Sequence, residues 1–333
     1  MIQRRVQSEK RRVKTQSLKF YVLSFGFALC ALSFTLLVGC QNQQLYKDSR
    51  IVMGTFVEVS SPDKEAAKVA FTEIKRIEGL LSKYREDSEV VRLNKRGELK
   101  VSADTLYILQ KAEEFWQLSD GAFDITVGPL MDLWGFTDKK YYLPRDEEIK
   151  EALNLVGFDK IIFNNAENVV KFSVQGMKID LGAVAKGYAI DCAVKKLKEK
   201  GIKDCLINAG GDIYALGDIK GKSWKVAVKD PRHAAFLQRL ELKNKAVATS
   251  GDYEQFFIQG NRRYAHIFNP KTGYPLDSGV VSVTVIAPDC LTADALATSI
   301  FVLGKEKGST LVEKRFPDVR MKIIESKDVP NNS

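Results

Sequence analysis

Only two histidines, His233 and His266, occur in 333 residues. A metal centre built from several imidazoles is therefore excluded, and any bound metal must be held by oxygen. Cysteine is scarce as well. Cys30 and Cys40 lie near the N-terminus, and Cys192, Cys205 and Cys290 are widely spaced, odd in number and without a CxxC. That pattern excludes a disulfide framework and a thiolate zinc site and suits buried free thiols. No Gly-x-Gly-x-x-Gly follows a strand-like run, no basic stripe interleaved with aromatics is present, and no internal repeat or low-complexity tract is visible. The dinucleotide fingerprint, nucleic acid as a partner and solenoid architectures drop out together.

The net charge of +9 is concentrated at the N-terminus. Arg4, Arg5, Lys10, Arg11, Arg12, Lys14 and Lys19 precede an uncharged apolar run, Phe20 to Val38, which ends in Leu37-Val-Gly-Cys40. The arrangement predicts a secretory signal over residues 1–39 and resembles a bacterial lipobox, with Cys40 as the lipidated first residue of the mature chain. An uncleaved membrane anchor is the alternative. Without the signal, 44 basic residues face 41 acidic ones, a net charge of +3. Residues 40–50 read as a polar tether, 51–325 as the folded domain and 326–333 as a flexible tail.

Hydrophobic periodicity predicts a strand over Ile51–Val59, with Val52 and Phe56 packing inward. Ser61-Pro62 then reads as the cap and first turn of a helix bearing Ala67, Ala70, Ile74, Ile77 and Leu81 on one face. Residues 81–94 are polar and read as irregular. A second helix spans Ser102–Leu118, and Ala122–Phe136 is too rich in glycine, proline and aromatics for a regular element, a buried plug or a ligand wall. Short strands follow within 161–179, at 204–208, at 224–228 and at 246–251. Helices are predicted over Glu148–Val156, Val184–Lys200 and Leu291–Leu303, and a β-branched strand over Val280–Ala287. Strands and helices mix without regular βαβ alternation, so the fold class is α+β, mixed sheets with packed helices.

Three stretches carry chemistry. Asp180-Leu-Gly-Ala-Val-Ala-Lys-Gly-Tyr-Ala-Ile-Asp191 joins a β-prone run to an Ala-rich helix through a small-residue turn, the usual anchor for a phosphate. Gly182 and Gly187 have the spacing of a P-loop, but Tyr188-Ala189 stands where Lys-Ser/Thr is required, so the ligands of that motif are missing. Asp294 and Thr298 lie at i, i+4 of a helix, a carboxylate and a hydroxyl suited to a hard cation such as Mg²⁺. The same pair also suits a first-turn acid and a threonine bonded back to a carbonyl. His266 is placed to act as a base near neutral pH, or to be a structural histidine.

In order along the chain, Met53-Gly-Thr55, Gly121-Ala-Phe-Asp-Ile-Thr-Val-Gly-Pro-Leu130 with Leu133-Trp-Gly-Phe136, and Asp180–Gly187 are followed by Asn208-Ala-Gly-Gly-Asp212 and Thr249-Ser-Gly251. His266-Ile-Phe-Asn-Pro270 with Thr272-Gly-Tyr-Pro275, and Asp294-Ala-Leu-Ala-Thr298, complete seven blocks. The sequence resembles the ApbE family, the bacterial FAD:protein FMN transferases, across residues 51–325. The resemblance implies an active site in a cleft between two lobes. It implies Mg²⁺ held by Asp294, Thr298 and the carbonyl of Ala183. Met53, Tyr84, Ala122, Phe123, Asp124, Asp180, Lys186 and Ile267 fall where the family contacts FAD, the substrate, and His266 matches the residue that activates the acceptor hydroxyl. Asn269 stands where many members have Asp. The implied reaction moves FMN from FAD to a Thr or Ser of an acceptor protein, with Nqr- or Rnf-type subunits among the family's acceptors, and releases AMP. The implied place is the extracytoplasmic face of a membrane, through the lipid anchor. An FAD pyrophosphatase and a non-catalytic flavin-binding lipoprotein are the alternatives.

Overall fold

A computed structural model describes residues 44–233 and 236–328. The signal, Cys40 and the last five residues lie outside the described residues. The segment expected to be tether, 40–50, is not irregular to its end, because Tyr46–Val52 forms β1 and pairs along its whole length with β2, Thr55–Ser61. Its polar residues are tolerated because an edge strand keeps one side and one face in water.

The single strand predicted over 51–59 is instead the end of a hairpin. Met53 and Gly54 both have positive φ, 56° and 69°, as a two-residue turn between right-twisted strands requires. The turn resets the alternation, so Val52 and Val57 point inward while Phe56 is 60% exposed.

β2 continues into a seven-stranded antiparallel sheet, ordered β1-β2-β6-β7-β10-β13-β14. The added strands are β6 (Cys205–Ala209), β7 (Asp212–Leu216), β10 (Lys245–Gly251), β13 (Val280–Ala287) and β14 (Arg320–Glu325). Three helices, α1 (Ala66–Leu81), α6 (Ala185–Glu199) and α7 (Cys290–Arg315), join this sheet in the main apolar core. Ser61 is not a helix cap: it closes β2 and donates to the Asp204 carbonyl at 2.6 Å, and α1 begins at Ala66. α7 runs past the predicted end, but Gly304 (φ 78°, ψ 176°) breaks it into two helical stretches. Residues 81–94 are more regular than expected, because Ser88 caps a short helix, α2 (Glu89–Arg96), by accepting from the Val91 N–H.

The hairpin of β8 (Trp224–Lys229) and β9 (Phe236–Leu242) forms a second cluster, in which Trp224, Val226 and Leu242 meet Ile213, Ala215 and Val247 of the large sheet. The helix α3 (Ala103–Leu118) adds Leu106, Ile108, Leu109, Ala112 and Phe115 to the main core. β3 (Glu98–Lys100), β4 (Ile161–Asn164) and β5 (Val169–Phe172) form a small separate sheet. The glycine- and aromatic-rich segment is a buried plug, built from the short helix α4 (Gly128–Leu133) with Trp134 and Phe136 fully buried. Around it pack α5 (Asp146–Leu153) and the hairpin of β11 (Phe256–Gln259) and β12 (Arg262–Ala265). Among the described residues, no helix is long and apolar enough to cross a membrane.

Candidate active site

The cleft encloses about 720 Å³ and is lined from the main core, the β8 strand and the aromatic plug together. That volume falls within the ~300–1,000 Å³ of small-molecule clefts. Its floor begins at Asp180. Asn94 fixes the chain just before it, accepting from the Ile179 N–H at 2.8 Å and donating to the Ile179 carbonyl at 2.9 Å. Asp180 Oδ1 accepts from the Gly182 N–H at 2.8 Å, and Oδ2 pairs with Lys83 Nζ at 2.6 Å. Burial opposes ionisation of Asp180, but the Lys83 ammonium and the Gly182 N–H outweigh it and hold the carboxyl below the usual carboxylate range.

The glycines of this corner do different jobs. A Cβ on Gly187 would lie 2.5 Å from the Cys290 carbonyl oxygen, so this glycine admits the backbone of α7 rather than a ligand. Its N–H is also committed, donating to Asp294 Oδ2 at 3.2 Å. Gly187 therefore serves helix packing and not the phosphate anchor read from this stretch: α6 and α7 touch here because glycine removes the side chain between them. Asp191, one turn on, ties the same helices by accepting from the Cys290 and Leu291 N–H groups, each at 2.8 Å. Gly182, by contrast, is exposed on the cleft surface.

Lys186 is an ion-pairing residue. Its Nζ lies 2.8 Å from Asp212 Oδ2, 3.7 Å from Asp294 Oδ2 and 3.4 Å from the Gly182 carbonyl. Burial disfavours the ammonium, yet Asp212 and Asp294 overcome that and hold it protonated well above the ordinary lysine value. Asp294 is only 4% exposed. Burial and the neighbouring Asp212 charge push its carboxyl above the usual range, against the pull of Lys186. One turn along α7, Thr298 Oγ1 lies 3.1 Å from Ser250 Oγ of β10. Ala183, Asp294 and Thr298 line one cleft, and such oxygen donors suit Mg²⁺. Among the described residues no group of three or more His, Cys, Asp or Glu is placed to hold a metal. A cation here would have to rely on hydroxyl and carbonyl oxygens beside the one carboxylate.

His266 and Ile267 line the same cleft, where the chain leaves β12. The His266 ring is half-buried, and its Nδ1 lies 3.2 Å from the Gln255 carbonyl. A carbonyl only accepts, so Nδ1 carries the proton and Nε2 keeps its lone pair in the neutral ring. Burial depresses the ring's pKa to about 4 despite that bond. Tyr84, 59% exposed, lines the mouth beside Lys83, whose Nζ sits 5.3 Å from its ring centroid. Met53 lines the cleft at the β1–β2 turn, its N–H bonded to Glu78 Oε1.

The segment 122–124 borders the cleft, but not through every side chain. Phe123 is buried against Phe115, ring centroids 6.0 Å apart. The Asp124 carboxylate accepts from Thr126 N–H and Oγ1 at 2.8 and 2.6 Å and so caps the turn that follows. Asn269 is a turn residue too: its Oδ1 accepts from the Lys271 N–H at 2.9 Å, and its backbone bonds Gly273 and Tyr274. An Asp would accept the same bond, so the departure from the family pattern falls on a structural position. Lys83 does not stand out in the sequence as a site residue. Asp212 and Ser250 carry a signal there only as members of the Asn208–Asp212 and Thr249–Gly251 blocks.

Residues 53–323 match the model of the ApbE family. The chain is 35% identical to the FAD:protein FMN transferase of Haemophilus influenzae over 72% of this chain and 73% of that protein. It is 34% identical to the FAD:protein FMN transferase of Vibrio cholerae, over 84% of this chain and 88% of that protein. The crystal structure of the ApbE protein from Thermotoga maritima superposes with a TM-score of 0.79 at 36% identity, covering 86% of this chain and 96% of that one. With its seven motif blocks gathered around one cleft, and with relatives of this identity over most of its length, the chain belongs to the ApbE family.

Proposed function

We propose that this chain is an Mg²⁺-dependent FAD:protein FMN transferase. It moves FMN from FAD to a Thr or Ser hydroxyl of an acceptor protein and releases AMP. The observation that carries the reading is that a neutral histidine and the Asp294/Thr298 oxygen pair line one cleft. The acceptor hydroxyl oxygen attacks the phosphorus on the FMN side of FAD. The phosphoanhydride bond to the AMP side breaks as the new phosphoester forms, and His266 Nε2 takes the hydroxyl proton. Lys186 and the exposed Gly182–Ala183 turn face the diphosphate and hold it in line, and positioning of this kind supplies much of the catalysis in phosphoryl transfer. Bound Mg²⁺ would neutralise diphosphate charge and improve AMP as a leaving group.

The same reading places Cys40 as the lipidated residue. The enzyme is then tethered to a membrane and faces the extracytoplasmic space, where loops of Nqr- or Rnf-type electron-transport subunits are accessible acceptors. The test is an incubation of the purified protein with FAD, Mg²⁺ and an acceptor domain carrying the target threonine. A covalently fluorescent acceptor band is expected, and it should not form when EDTA is present during the incubation. AMP and FMN formed equally fast without acceptor would move the assignment to FAD hydrolysis.

A further inference from the structure

Asp294 is asked to serve two cations. As a ligand of the divalent ion in the reading above, its carboxylate must offer charge to the metal, and Lys186 Nζ already lies 3.7 Å from its Oδ2. An ammonium that closed on Asp294 would compete for that carboxylate and repel the metal. What prevents closure is Asp212. It enters from β7, directly after the Gly210–Gly211 turn, and its Oδ2 holds Lys186 Nζ at 2.8 Å. Asp212 is 3% exposed, and apart from this ion pair Oδ2 has no hydrogen-bond partner. A buried carboxylate oxygen with one partner is costly unless that partner stays in place. The packing is rigid on both sides: a Cβ on Gly187 would strike α7, and a Cβ on Gly210 would lie 2.4 Å from Thr55 Oγ1.

We propose that Asp212 is a positioning residue for the metal site: it draws the Lys186 ammonium away from Asp294 and keeps that carboxylate available to a divalent cation. Asp212 acts through Lys186 and does not itself bind the metal. The inference rests on Asp294 being a metal ligand, and the experiment separates the two ideas.

Mn²⁺ is titrated calorimetrically into the FAD-free full chain and four variants: Asp212→Asn, Lys186→Met, the double variant and Asp294→Asn. Thermal melts of each accompany the titrations. Asp212→Asn is expected to weaken Mn²⁺ binding about tenfold or more, the scale on which second partners of metal ligands act. Lys186→Met is expected to bind at least as tightly as the parent, and adding Asp212→Asn to it should change affinity less than about threefold, because no ammonium is left to release. If Asp212→Asn does not fold with a lone ammonium buried beside Asp294, the comparison of the double variant with Lys186→Met carries the test. A tenfold loss in the Lys186→Met background, or no loss from Asp212→Asn in the parent, overturns the proposal. Unchanged Mn²⁺ binding by Asp294→Asn overturns the metal reading beneath it instead.

Discussion

At and just beneath the floor of the cleft, Lys186 lies against Asp212 and Asp294, and Lys83 against Asp180. On the wall at the end of β12, the one histidine is kept neutral by burial and anchored by a single backbone carbonyl. The two sides manage desolvation in opposite ways. In the proposed mechanism a floor that holds the FAD diphosphate needs fixed charges, and paired charges survive burial. In the same mechanism His266 must offer a lone pair, and burial, helped by the Lys83 and Lys186 charges, keeps the ring neutral against the pull of Asp180. The two sides should therefore respond differently to substitution and to pH.

The largest effect is expected from the wall. His266→Ala should slow transfer by about 10²–10⁴-fold, the usual contribution of a positioned general base. Flavin binding, followed by fluorescence quenching, should stay within a few-fold, and a loss of affinity without a loss of kcat would make the wall a binding surface instead.

On the floor, Asp294→Asn should lower kcat by about 10²–10³-fold, on the scale of losing one group that stabilises developing charge. Asparagine is the better probe than alanine, because it keeps an acceptor for the Gly187 N–H and avoids an unsatisfied donor costing about 1–3 kcal/mol. Activity retained with saturating Mg²⁺ would remove the floor from the chemistry.

Gly187→Ala tests the floor's geometry with no change of charge. Backbone of α7 stands where the methyl would go, so destabilisation of about 1–3 kcal/mol is expected, read as a lower Tm together with weaker Mn²⁺ binding. A higher Tm, from helix propensity alone, would show that the two helices can part without harm.

The pH response sharpens the comparison. With the His266 pKa depressed from 6.5 to about 4, the unfolded chain binds more protons than the folded one between those values. The stability contributed by the neutral ring is present above pH 6.5 and is lost as pH falls toward 4. Over pH 5.5–7, single-turnover rates at saturating metal should show no acid limb that disappears in His266→Ala. Such a limb near 6.5 would mean the ring is solvated like a free histidine.

The smallest effect belongs to Asn269. Asn269→Ala should cost about 1 kcal/mol through the lost turn bond, while Asn269→Asp, which accepts the same bond, should melt within a degree or two of the parent. A large change in kcat with Asp would place position 269 in the chemistry after all.

Strong local periodicity is legible in the sequence alone: α3 and α6 begin and end within a residue or two of the predicted bounds, because apolar spacing, and for α3 the Ser102 cap, act along the chain. The early start at β1 is not legible there, since its residues are polar and only their pairing with β2 makes them a strand. The order of the motif blocks is enough to pick out Asp294, Thr298, Lys186 and His266 as residues of one site. What those residues do to each other is decided in three dimensions. Gly187 is a glycine because α7 crosses there, Lys186 is ion-paired because β7 brings Asp212 beneath it, and Asn269 and Asp124 spend their side chains on turns. Spacing along a chain reports periodicity and chemical type. Burial, charge pairing and the tautomer of His266 depend on neighbours 11 to more than 100 residues away, and only packing brings those together.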